Sequence, residues 1–149
     1  MKIGRCEDAG WLLSQEAFPV YASCMYHPTY RDYRALMEDL LNDPSAKVYV
    51  CEERGRKTGM MALKLSGNSA EILGIAVSDR ARRRGIGKQL ILHVMESENL
   101  ESLRAQTDED SIGFYRRCGF SENRTIIEYP DGSAVRYHCI LLRQADSGL

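Results

Sequence analysis

No stretch of this 149-residue chain is apolar for the roughly 18 residues that a membrane span requires. The first residues, with Glu7 and Asp8 already acidic, lack the apolar centre of a secretory leader. Cysteine occurs 5 times, as Cys6, Cys24, Cys51, Cys118 and Cys139. That odd number, with no Cys-x-x-Cys pair, argues against a disulfide framework and against a zinc site. The three histidines, His27, His93 and His138, have no metal-ligand spacing, so no metal is expected. Net charge is only −1, and a chain without a basic excess is not expected to bind nucleic acid. No repeat, low-complexity tract or Pro/Gly/Ser-rich linker divides the sequence. These absences predict one domain over residues 1–149, cytoplasmic, with neither nucleic acid nor membrane as partner.

What is present is a regular succession of strand and helix patterns. Lys2 to Glu7 reads as a first strand, and Asp8 as the N-cap of a helix with Trp11, Leu12 and Leu13 that stops near Pro19. Tyr21 to Thr29 reads as irregular and aromatic. Thr29 with Asp32 resembles a capping box for a helix whose Tyr33, Leu36, Met37, Leu40 and Leu41 recur at helical spacing. Lys47 to Glu52, Thr58 to Leu65 and Ala70 to Val77 read as three antiparallel strands in series. Ile86, Leu90, Ile91, Val94 and Met95 make a helical stripe, and Leu103 to Gln106 a short strand. Asp110 to Cys118 reads as a compact helix with Gly119 at C′, and Arg124 to Tyr129 and Ala134 to Leu142 as a terminal hairpin. The order β-α-α-β-β-β-α-β-α-β-β predicts an α/β (α+β) fold: a mixed, mostly antiparallel sheet of about seven strands with helices on both faces.

Between the strand at Ile72 to Val77 and the helix from Gln89 lies Arg82-Arg83-Arg84-Gly85-Ile86-Gly87-Lys88. A basic, glycine-containing strand-to-helix turn is a phosphate cradle: backbone N–H groups approach the anion, and the helix start adds unpaired donors and partial positive charge. A solvated turn would show the same arginines, but not the strand and helix on either side. The spacing is not that of a magnesium-dependent P-loop, because Gly85-Ile86-Gly87-Lys88-Gln89 lacks both the Gly-x-x-x-x-Gly-Lys spacing and the following Ser/Thr. Gly74, inside a strand run, signals a bulge or a close backbone approach.

Element order and motifs together resemble the GNAT superfamily, the general control non-derepressible 5-related N-acetyltransferases, over essentially the whole chain. The family's Arg/Gln-x-x-Gly-x-Gly/Ala is met by Arg82, Gly85 and Gly87, and its Phe-Tyr-x-x-x-Gly-Phe by Phe114, Tyr115, Gly119 and Phe120. The resemblance implies acetyl-CoA as donor and CoA as product. It implies that Arg82, Arg83, Arg84, Gly85, Ile86, Gly87 and Lys88 hold the pyrophosphate, and that Ile75, Ala76 and Val77 pair with the pantetheine arm like an added strand, the Ile75 N–H facing the thioester oxygen. Asp108 and Ser111 would flank the cofactor, although many relatives carry asparagine where this chain has Asp108.

The reaction explains the remaining candidates. An alkylamine of pKa about 10.4 is protonated at neutral pH, and freeing it costs about 4–5 kcal/mol. By resemblance Glu71 matches a general base acting through water, and Tyr115 the acid that protonates the departing thiolate. Both have plainer readings, Glu71 as a strand-edge carboxylate and Tyr115 as core. Tyr21, Tyr26, His27, Tyr30 and Tyr33 fall in the segment that lids the acceptor cleft in relatives. Tyr26, Tyr30 and Tyr129 are therefore the expected substrate wall, equally compatible with ordinary packing. The expected activity is acetyl transfer to a primary amine of a small molecule by direct attack, and a homodimer fits the family. The alternatives are acetylation of a peptide or protein N-terminus or lysine, and a non-catalytic acyl-CoA-binding module.

Overall fold

The structure is a computed structural model that describes residues 1–144; residues 145–149 of the predicted domain lie outside them. Its strands are β1 (Lys2–Arg5), β2 (Ala46–Glu53), β3 (Arg56–Ser66), β4 (Ser69–Val77), β5 (Ser102–Thr107), β6 (Ser121–Tyr129) and β7 (Gly132–Leu142). They form one sheet in the order β1-β2-β3-β4-β5-β7-β6. All neighbours are antiparallel except β4 and β5. Antiparallel neighbours can be joined by a tight turn, whereas a parallel pair needs a crossover. Helix α4 (Ile86–Ser97) provides it, on the segment where the apolar stripe predicts a helix.

The period of two along each strand divides the apolar residues between two cores. Met61, Leu63, Ile72 and Leu103 pack with Leu90, Ile91 and Val94 of α4 and with Ile112 and Tyr115 of α5 (Ile112–Arg117). On the other face Val48, Val50, Met60 and Ala62 pack with Leu12 of α1 (Ala9–Leu12) and with Tyr33 and Met37 of α3 (Tyr30–Leu41). Each buried Leu, Ile or Met contributes roughly 1.5–3 kcal/mol through its removal from water.

The N-terminal third differs from the sequence reading. The Asp8 carboxylate accepts the Trp11 N–H at 3.0 Å, as a cap should, but α1 lasts one turn. Pro19 does not stop a helix. It stands in the first turn of a further helix, α2 (Phe18–Tyr21), where a missing N–H costs nothing. Tyr21 ends that helix instead of opening an irregular stretch, and Ala22–Cys24 continue as a 3₁₀ turn. The Thr29 hydroxyl accepts the Asp32 N–H at 3.1 Å and starts α3 as expected.

Strand β4 contains the irregularity that Gly74 signals. Ala62 of β3 faces Gly74 and Leu63 faces Ile72, so Leu73 is an extra residue, a β-bulge. The bulge shifts the alternation: Ala70 and Ile72 point to the α4 core before it, and Ile75 and Val77 pack against that core after it.

Candidate active site

The parallel pairing of β4 with β5 runs only from Ser69 opposite Ser102 to Ile72 opposite Ala105. Beyond it β4 continues to Val77 with β3, and β5 continues to Thr107 with β7. The strands therefore part, and a cleft of about 1250 Å³ opens between Ile72 to Val77 on one side and Gln106 to Asp108 on the other. The edge of β4 that faces it, past Ile72, has no strand partner. Such an edge can take an extended, amide-containing arm in β-augmentation.

The start of α4 closes one end of the cleft. Gly85, its N-cap, is left-handed at φ +75°, and apart from its own chain neighbours no described residue comes within 4 Å of where a Cβ would stand. Glycine is required there by the backbone turn rather than by space. The N–H groups of the first helical turn have no partner within the helix. Gly87 has another reason to be small: a Cβ would lie 2.7 Å from the Phe114 ring. The bare backbone at Gly87 admits Phe114, which ties α5 to the cradle.

Among the residues expected to hold the donor, all but Arg84 line the cleft. Arg84 turns outward to Glu53, Nη2 to Oε2 at 2.5 Å. Arg82 is held within its own loop, Nε donating to the Val77 carbonyl at 3.3 Å and Nη2 lying 3.1 Å from Asp79. Arg83 and Lys88 remain exposed on the rim. Asp108 Oδ1 accepts the Ser111 N–H at 3.0 Å, so this acidic residue helps to shape the entry to α5 beside the cleft.

The Phe-Tyr-x-x-x-Gly-Phe motif has a direct structural reason. Helix α5 ends in a Schellman motif: the Gly119 N–H donates to Arg116 O and the Phe120 N–H to Tyr115 O, both at 3.1 Å. Gly119 takes the C′ place at φ +92°. The apolar contact that accompanies such an ending is Phe120 on Tyr115, edge to face with centroids 5.2 Å apart, and Phe114 holds the ring from another side at 5.2 Å. The Tyr115 ring is thus buried while the residue lines the cleft. Among the described residues its hydroxyl has no hydrogen-bond partner. Burial pushes the phenol well above its ordinary value, with Cys139 and Cys24 adding to the shift, so it stays protonated across the neutral range.

Other expectations meet a different geometry. Tyr30 does not reach the cleft: its hydroxyl donates to the Leu13 carbonyl and its ring packs on Phe18 and Tyr33, making it part of the α1–α3 core. Tyr129 stands half-exposed at the end of β6, away from the cleft-lining residues. Glu71 is exposed at a paired position of β4, in register with Lys64 and Arg104, and does not line the cleft either. Of the expected acceptor wall only Tyr26 does, and it is 90 % exposed.

The sequence reading missed Cys24 and Arg136, both in the cleft wall. Cys24 is exposed as a residue, but its sulfur is turned inward, donating to the Tyr21 carbonyl at 3.2 Å and facing the Ile75 N–H. That desolvation pushes the thiol up to about 11. Gly74 belongs to the same contact, since a Cβ there would stand 2.0 Å from the Tyr21 hydroxyl and 3.0 Å from the Cys24 sulfur. The close approach expected at Gly74 is therefore made by a tyrosine of α2. For Arg136 the available signal was alternation: Tyr137 faces the α5 core, so its neighbour faces the other way.

The cleft thus sets an open strand edge beside a glycine-capped helix start, with a buried tyrosine on its wall. The family comparison is specific: residues 44–122 match the model of the acetyltransferase (GNAT) domain. The chain belongs to the GNAT family of acetyltransferases, and its acyl donor is acetyl-CoA. No curated protein sequence matches it. Solved structures that share its fold include the ribosomal-protein-S18-alanine N-acetyltransferase of Escherichia coli, at 18% identity and TM-score 0.72, covering 99% of this chain and 97% of that one. A GNAT acetyltransferase of Elizabethkingia anophelis with acetyl-CoA bound has 17% identity and TM-score 0.68, with 95% and 97% covered. A spermidine N-acetyltransferase chimera from Vibrio cholerae and hSSAT has 16% identity and TM-score 0.72, with 95% and 94% covered. No helix among the described residues is long and apolar enough to cross a membrane, and no group of metal-binding side chains is found among them.

Proposed function

We propose that the chain acetylates a primary amine of a small molecule by direct attack on acetyl-CoA. The observation that carries this reading is the Tyr115 hydroxyl, protonated and without a hydrogen-bond partner among the described residues, on the cleft wall beside the start of α4. The free amine attacks the thioester carbonyl and loses a proton, the C–S bond breaks, and Tyr115 gives its proton to the departing sulfur. Cys24, kept as a thiol by its surroundings, is a poor acyl carrier, which favours direct attack over a covalent route. Glu71, outside the cleft wall, would accept the amine proton through water. The short segments around the cleft favour a compact acceptor over a protein surface, which needs roughly 800 Å² per partner.

The test is thermal stability with acetyl-CoA, followed by thiol release with a panel of amines. Binding at about 100 times the dissociation constant should add roughly 2.7 kcal/mol. Peptide N-termini or lysines that turn over far better than every free amine would refute the small-molecule acceptor. Loss of a Glu71→Gln rate deficit at high pH supports Glu71 as base, and a pH-independent deficit refutes it.

We further propose a homodimer through β6, whose outer edge has no strand partner among the described residues and whose Ile126, Ile127 and Tyr129 are exposed.

A further inference from the structure

Arg136 is half-buried in the cleft wall, and among the described residues it forms no salt bridge. A side chain in such a place has lost part of its water and gained no counter-ion, whereas an arginine that is fully buried is usually paired. Its orientation follows from the strand. Tyr137, the next residue, is packed in the α5 core, so Arg136 points to the opposite face; Cys24 and Tyr26 line the same cleft. On that face His138 and its cross-strand partner Gln106 are exposed, as is Arg104 one pair further along β5. The acidic residue one step beyond the last β5–β7 pair, Asp108, is engaged with the Ser111 N–H and makes no salt bridge to Arg136. The donor's phosphates have their own partners in the turn before α4, so Arg136 is left for the acceptor.

Resting on the acetyltransferase reading above, we infer that the acceptor amine carries a carboxylate, as in a free amino acid, and that Arg136 binds this carboxylate while the amine meets the thioester beside Ile75. The planar fork of arginine matches a carboxylate with two parallel hydrogen bonds. A cleft with arginine on its acceptor side repels polyamines, whose second positive charge would fall in the same place.

The experiment compares each amino acid with its amide and with the amine that lacks the carboxylate, by thiol release with acetyl-CoA. The wild-type protein should prefer the free acid by roughly 10- to 100-fold in kcat/KM, the range of one charge-assisted contact. Arg136→Met should erase that preference through KM, Arg136→Lys should retain part of it, and the thermal shift with acetyl-CoA should stay unchanged in both. Amides or polyamines turning over as well as the acids would overturn the inference and leave the acetyltransferase reading intact. So would a loss of acetyl-CoA binding in Arg136→Met, which would assign the guanidinium to the donor. A wild-type protein that bound no acetyl-CoA, or released no thiol with any amine, would overturn the reading itself.

Discussion

Replacing Tyr115 by phenylalanine removes one hydroxyl and leaves the ring that Phe114 and Phe120 clasp. The variant should bind acetyl-CoA within a few-fold of the wild type and turn over roughly 10²-fold more slowly; unchanged turnover would make Tyr115 a packing residue only. A second prediction concerns several residues of one kind. The phenols of Tyr21, Tyr33, Tyr49 and Tyr115 are all raised by burial, as are the thiols of Cys6, Cys24, Cys118 and Cys139. The folded protein keeps these protons while the unfolded chain releases them from about pH 9 for thiols and pH 10 for phenols. Stability is therefore complete below about pH 9 and falls as pH rises, by up to ~1.4 kcal/mol per pH unit for each group. The urea midpoint should drop steadily between about pH 9 and 11, and a rising midpoint would contradict the assignment. Local spacing made the positions of Tyr115 and of the glycine turn on the cleft wall legible in the sequence. Tyr30 and Tyr129 were not legible: an aromatic ring serves a core and a cleft wall equally well, and only the tertiary arrangement decides.

Elements explain why the sequence carries its glycines where it does. Gly119 ends α5 so that Phe120 can fold back on Tyr115, and Gly87 leaves room for Phe114 against α4. Gly74 is the most demanding, because the Tyr21 hydroxyl stands 2.0 Å from where its Cβ would be, and Tyr21 is 2 % exposed and has no room to swing away. Gly74→Ala should lower stability by about 1–3 kcal/mol, the usual cost of overpacking. Tyr21→Phe placed in the same chain removes the nearest clashing atom and should recover part of that loss. Chemical denaturation of the two single variants and the double variant measures the coupling; strictly additive losses would show that Gly74 and Tyr21 do not interact. The bulge and the close approach at Gly74 were both legible as alternatives, since glycine in a strand has few other uses. Which partner approaches was not, because Tyr21 reads as the start of an irregular stretch: Pro19 looks like a helix stop unless the helix it opens is already known.

At the scale of the whole molecule, the sheet of the described residues ends at β6, which has only β7 beside it among them and is exposed at most of its positions. A free edge with exposed Ile126 and Ile127 invites another strand. The sequence of β6 prefers one arrangement with its own copy. A two-fold axis perpendicular to the sheet pairs residues of like parity, and centring it on Ile126 sets Ile126 against itself and Arg124 against Glu128 of the second copy, twice over. Moving the axis one residue toward the N-terminus opposes Glu122 with Glu128, a like-charge pair that destabilises a sheet, and moving it one residue the other way leaves Arg124 facing Pro130. The proposed interface would be isologous, so each substitution would act twice. Arg124→Glu should shift the protein to monomer in sedimentation at micromolar concentration, and Glu128→Arg should do the same, each by creating two repulsive pairs. The double variant, with both charges exchanged, should recover the dimer. A wild-type protein that sediments as a monomer refutes the β6 dimer, and a dimer that persists in both single variants refutes this register while leaving association at another surface.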